Sequence, residues 1–429
     1  MKRIKIIKQI PRKTGPILGL LLLLLLGMGS FASAQSLDDY LREAAENNPN
    51  LEALFNDYQA ALELVPQVGA LPDPSLSIGY YIQPIQTRNG PTQGGITIGQ
   101  QFPWFGTLKA RKDVASQSAA AKFWEFNSAK NDLFFNIRQN WYQLFELEER
   151  IRITKENIDL LNYLETLATQ KYETGKASMA DVITVQLKIR EAENQLALLQ
   201  LNKKPLVHSF NNFLNRDPEE NIQIPESIPL EELPNENNLE IVFQQNPQMK
   251  TLNAMKKAAK EQQRVAKLQG RPNISLSVQY VSIGRISGDD QMVPVTNGKN
   301  VIMPMVGVSI PLYRKKYNAL KKEANFNLKS IEAKEIALKN DLSLAYTQIM
   351  EGLKASQLSI ALYKEQIAQG KQALTLTIKD FSTGKKSYEE VLRIQGELLV
   401  YELSSVEAKV SFNTTVAQLN QLAATELEI

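Results

Sequence analysis

Ser75-Leu76-Ser77-Ile78-Gly79-Tyr80 returns 200 residues later as Ser275-Leu276-Ser277-Val278-Gln279-Tyr280. In both stretches an apolar residue alternates with Ser, Gly or Gln, the period of a β-strand with one apolar face. Three further landmarks repeat in the same order. Asn47-Asn48-Pro49-Asn50 returns as Gln245-Asn246-Pro247-Gln248, and Phe102-Pro103 as Ile310-Pro311. Tyr172-Glu173-Thr174-Gly175-Lys176 returns as Phe381-Ser382-Thr383-Gly384-Lys385. The offset grows from 198 to 209, so the insertions fall mainly between the two strands of the second copy. The chain reads as a tandem duplication, with a period far beyond the roughly 20–50 residues of a solenoid.

Each copy predicts helix, strand, loop, strand, very long helix, tight turn and returning helix. The first helix is expected over Ser36–Val68, ended by Pro72 and Pro74. Strands are expected near 75–83 and 95–102, joined by a polar loop over Pro84–Gly94. Ile274 to Tyr280 and Val306 to Ile310 repeat them around a loop over Arg285–Asn300. The long helices are expected at Thr107–Tyr172 and Asn318–Lys379, without proline. Along the first, Leu133, Ile137, Trp141 and Leu144, then Leu161, Leu164, Ala168 and Tyr172, recur in steps of three and four, a coiled-coil-like seam. At 1.5 Å per residue such a helix is roughly 100 Å long. Pro205 should break or kink the returning helix. The resulting units are 35–216 and 239–429, with a Pro-rich linker over 217–238.

The 429 residues are 43% hydrophobic and 22% charged, which excludes disorder. There is no cysteine and a single histidine, His208, so disulfides, thiolate chemistry and zinc fingers are out. Residues 1–34 read as a secretory signal, with six cations, the apolar run Ile17–Leu26 and an Ala32-Ser33-Ala34 cleavage site. Cleavage is expected before Gln35, without lipidation. Those six cations leave the formal charge of +3 at about −3 in the remainder, so a nucleic-acid partner is not expected.

The polar face of the strands, Ser, Thr, Gly and Gln, suits a water-filled lumen better than a dry core. Four strands are too few for a single-chain barrel, which begins at about eight. Three chains would pool twelve.

Two tandem copies of this plan resemble the TolC-like outer-membrane efflux proteins. Leu71-Pro72-Asp73-Pro74 and Gln100-Gln101-Phe102-Pro103-Trp104-Phe105-Gly106 look most like the heavy-metal branch, the CusC/CzcC-like proteins. The resemblance implies a mainly α fold with a small β part. Its α-barrel tunnel would lie in the periplasm, under a trimer-shared 12-stranded transmembrane β-barrel with four strands per chain. It also makes 217–238 an equatorial linker and implies a homotrimer in outer-membrane lipid. Partners would be a periplasmic adaptor and an inner-membrane pump of the RND or another type, with no cofactor and no catalytic residue. The family's periplasmic turns fall on Thr174, Gly175 and Lys176 and on Thr383, Gly384 and Lys385, the expected adaptor-docking residues. Asp181 and Glu390, six residues after each glycine, read either as helix-starting acids or as part of a tip constriction with Lys386, where the family often has Arg.

Other chemistry is thin. Met292, Met303 and Met305 are soft Cu(I)-type ligands or apolar filler. Phe102, Trp104 and Phe105 suit an interfacial girdle or core packing. No G-x-S-x-G, Walker or metal-ligand spacing appears. The expected function is a passive exit duct of a tripartite efflux system, with heavy-metal cations as one substrate class. The alternatives are a duct for drugs or type I secretion, and a periplasmic coiled-coil adaptor or structural protein.

Overall fold

A computed structural model describes residues 36–233, 238–287 and 294–425. The expected signal, residues 1–34, and Met292 lie outside these. Where one opening helix was expected there are two, α1 (Leu37–Asn47) and α2 (Pro49–Gly69). The residue before a proline is pushed out of the helical region, and Asn48 stands extended at φ −71°, ψ 118°. Its side-chain oxygen accepts from the amides of Asn50 and Leu51 at 3.0 and 3.2 Å, capping α2. The second copy repeats the device. Asn246 separates α5 (Leu239–Gln245) from α6 (Pro247–Leu268) and caps it through Gln248 and Met249.

Antiparallel strands β1 (Ser75–Tyr80), β3 (Gly90–Phe102), β4 (Asn273–Ile283) and β5 (Val301–Ser309) form the sheet in the order β1-β3-β4-β5. A two-residue strand, β2 (Gln86–Thr87), pairs with the start of β3. The loop expected over 84–94 is therefore partly sheet. Gly90 lets it fold tightly: at φ +128°, a Cβ there would lie 1.8 Å from the Gly284 carbonyl. Buried Thr92 also holds it, donating to the Ile85 carbonyl at 3.3 Å and accepting its amide at 3.0 Å.

The register lines Leu76 up with Ile98, Ile98 with Val278, and Val278 with Pro304. One step along, Ser77, Thr97, Gln279 and Met303 form a row. Because strand side chains alternate, the sheet has one apolar and one mostly polar face. The apolar face is bare: Ile78 is 75% exposed and Tyr80 81%. Edge strands β1 and β5 are each paired on one side only.

Below the sheet run α3 (Thr107–Glu173) and α7 (Arg314–Ser382), each returning as a 36-residue helix, α4 (Met179–Leu214) and α8 (Tyr388–Ala423). The long helices, of 67 and 69 residues, are about 100 Å long. Pro205 does not end α4. Phe210 and Leu214 beyond it are fully buried against Tyr40 and Ile137, and this packing outweighs the hydrogen bond that proline removes. Tyr40 meets Phe210 edge-on at 5.1 Å.

The two capping asparagines also tie the helices together. The Asn48 amide donates to the Phe213 carbonyl, and that of Asn246 to the Leu422 carbonyl, both at 3.0 Å. Part of the linker packs through Ile222, Ile224 and Ile228 and joins α8 through Asn413, which accepts the Glu231 amide and donates to the Pro229 carbonyl. A second core lies at the far end of the hairpins, around Leu164, Val185, Phe381, Tyr388 and Val391.

Candidate functional site

The far ends of the hairpins carry the residues singled out in the sequence. A helix reversing direction needs one left-handed residue, and Gly175 and Gly384 supply it at φ +68° and +81°. Around each the same two backbone bonds close the helix. Gly175 donates to Tyr172 and Lys176 to Lys171, at 2.9 and 2.7 Å; Gly384 donates to Phe381 and Lys385 to Asp380, at 3.0 and 2.9 Å. Thr174, Gly175, Lys176, Thr383, Gly384 and Lys385 are all exposed.

The acids differ between the turns. Asp181 completes a capping box with Ser178, its carboxylate accepting the Ser178 amide at 2.9 Å. In the second turn Ser387 caps α8, and the longer Glu390 reaches back to Lys386 at 2.7 Å. Asp181 is thus engaged in starting its helix, and Lys386 and Glu390 pair with each other along one helix end.

Lys171 is the residue the sequence pattern misplaced. Tyr172 was expected in the apolar seam, but it is 46% exposed, while Lys171 is 8% exposed. Its ammonium donates to the Phe381 carbonyl at 2.5 Å and lies 4.7 Å from the centre of that ring. One side chain therefore fastens the first turn to the second. The step of three from Ala168 pointed to position 171, but a charged residue argues against burial unless a partner is known. Nearby, the Tyr388 hydroxyl is buried with no partner among the described residues. Burial raises its pKa, and the Asp181 and Glu165 carboxylates raise it further.

The remaining candidates scatter. His208 is exposed on α4. Met303 and Met305 lie on the polar face of the sheet, opposite Gln279 and Ser277. Trp104 and Phe105 stack edge-on at 6.0 Å just past β3. Among the described residues no His, Cys, Asp and Glu cluster could hold a metal, and no helix is long and apolar enough to cross a membrane.

A bare apolar sheet face with open edges thus stands on two hairpins whose long helices run about 100 Å. The fold is that of the TolC-like outer-membrane channels, a small antiparallel sheet on long helical hairpins.

Residues 40–205 match the family model described as Outer membrane efflux protein. The chain is 20% identical over 421 residues to Outer membrane protein TolC of Vibrio cholerae serotype O1, covering 93% of this chain and 92% of that one. It is 25% identical over 131 residues to Toxin and drug export protein A of Aggregatibacter actinomycetemcomitans; that match spans 30% of this chain and 29% of the relative. Among solved structures, VceC from Vibrio cholerae superposes with a TM-score of 0.75 at 16% identity, covering 90% of this chain and 96% of that one. CusC gives 0.75 at 16%, covering 92% of each. The equal scores mean that the fold does not single out the heavy-metal branch.

Proposed function

We propose that three copies of the chain close their sheets edge to edge into a 12-stranded barrel, continuous with a helical tunnel, and that this trimer is the passive exit duct of a tripartite efflux system. The observation that carries the reading is the sheet: an apolar face with nothing on it, a polar face of Ser, Thr, Gly and Gln, and one unpaired edge on each side. Lipid satisfies the first, water the second, and neighbouring copies the third. Units 35–216 and 239–429 each supply two strands and one hairpin, joined by the equatorial linker 217–238.

The turns around Gly175 and Gly384 are the docking end for a periplasmic adaptor, because they lie farthest from the barrel. An inner-membrane pump, of the RND or another type, provides energy and substrate choice. Asp181, Lys386 and Glu390 form the tip constriction. Heavy-metal cations are the leading substrate class, on the Pro-Asp-Pro and Gln-x-Phe-Pro-x-x-Gly likeness alone. Detergent-extracted outer membrane run unheated on a gel should give a trimer band that collapses on boiling. A monomer at both temperatures would remove the reading.

A further inference from the structure

Just below the sheet the charge departs sharply from the rest of the chain. Between Phe102 and Val114 and between Ser309 and Glu323 stand eight Lys and Arg against a single acid, Asp113. Arg271 and Lys267 lie on the same level, two and six residues before β4. All four main strands meet the helices at this end, so these residues flank three of the four junctions at the foot of the sheet; the fourth, before β1, carries the exposed acid Asp73 and no cation. Lys109, Lys267, Arg271, Arg314, Lys315 and Lys316 are exposed.

The placement works against the local structure. Neither α3 nor α7 has an acid in its first turn or a side-chain cap. Cations at a helix start oppose its dipole. A local conflict of this kind marks a position kept for something other than helix stability. Lumen-lining alone does not account for it: successive helical residues are about 100° apart, so Arg314, Lys315 and Lys316 spread over roughly 200° of the helix circumference and cannot all face one way.

Directly above this level lie exposed aromatics, Phe105 at 77% and Tyr313 at 84%. Above those comes the bare apolar face. Apolar band, aromatic ring and cationic ring, in that order, match the acyl chains, interface and phosphates of one bilayer leaflet. We infer that this basic collar binds anionic phospholipid headgroups of the periplasmic leaflet, seating the barrel at a fixed depth. The inference rests on the membrane reading above and adds a lipid preference that the reading does not contain.

Trp104 sits beside Phe105, directly above the collar, whereas Trp124 and Trp141 lie along α3, about 25 and 50 Å below its start. Its fluorescence therefore reports which lipid occupies the collar. The purified trimer would be reconstituted with brominated phosphatidylglycerol or brominated phosphatidylcholine, and the relative binding constants taken from quenching. Wild type should prefer phosphatidylglycerol by roughly fivefold or more at low salt, the effect of about one surface cation. The preference should shrink at high salt. It should fall toward unity in the triple variant Arg314→Gln, Lys315→Gln, Lys316→Gln, with the trimer band as the check on folding. A second triple variant, Lys109→Gln, Lys267→Gln, Arg271→Gln, covers failure of the first to assemble. Equal quenching by both lipids in wild type, or an unchanged preference in an assembled variant, would overturn the collar and leave the barrel standing. Absence of quenching by either lipid would remove the membrane reading itself.

Discussion

Replacing Gly175 or Gly384 with valine should separate docking from assembly. Both glycines are left-handed, at φ +68° and +81°, and no heavy atom lies within 4 Å of where a Cβ would stand. Crowding is therefore not the issue; the cost is conformational. A left-handed L-residue costs about 1–2 kcal/mol, and a strained backbone position about 1–3 kcal/mol. For β-branched valine, a genuine outlier at positive φ, the cost lies toward the upper end of that range and is enough to offset the two backbone bonds closing each turn, about 0.5–1.5 kcal/mol apiece net. The turn should consequently re-form in a shifted shape while the barrel, about 100 Å away, stays assembled. Asparagine is the control, because it tolerates this region, as Asn215 does here at φ 54°. In a deletion strain, Gly175→Val and Gly384→Val should keep the heat-sensitive trimer but lose efflux and adaptor cross-linking. Gly175→Asn should retain both. Normal efflux and cross-linking in both valine variants would refute the reasoning, and the turns would be mere connectors.

Removing the unpartnered hydroxyl with Tyr388→Phe should leave thermal stability unchanged or raise it by up to about 1 kcal/mol, since a buried unpaired hydroxyl is costly; a clear loss would mean the hydroxyl has a partner in the trimer. Asn246→Ala removes a cap and strands the Leu422 carbonyl, a cost of roughly 2–4 kcal/mol in chemical denaturation. Asn48→Ala should cost less, because Asn48 is only half-buried whereas Asn246 is buried; the reverse order would contradict the shared role. Ile78→Lys on the apolar face should destabilise the assembled barrel by about 2–4 kcal/mol near the bilayer midplane, while Ser77→Lys on the other face is mild. Equal tolerance at the two positions would count against lipid contact.

The long elements were legible because their signals are long. Helices of more than 60 residues average out local exceptions, and the duplicated strand hexads show their period twice. Boundaries set by one side chain were not. Asn48 and Pro49 were visible as a repeat, but the sequence does not reveal that the asparagine side chain caps α2 and breaks the helix. Pro205 does not break α4, since tertiary packing at Phe210 and Leu214 holds the helix together past it. At the tips, the glycines were readable from helix-reversal geometry alone. Lys171 was not: its burial depends on a backbone carbonyl 210 positions away. The cationic collar is plain in composition and acquires meaning only once four strand ends are seen to converge on it.

The central claim is that the Ser-rich face of the sheet lines a water-filled pore while the apolar face meets lipid. The chain has no cysteine, so single cysteines can be placed without background. The most direct test is single-channel recording of reconstituted Ser277→Cys and Val278→Cys trimers, adjacent in β4 and on opposite faces, before and after a charged water-soluble thiol reagent. The account predicts that the reagent alters the conductance of the Ser277→Cys channel and leaves the Val278→Cys channel unchanged. An equal response at both positions, or no conductance from assembled trimer, would contradict it.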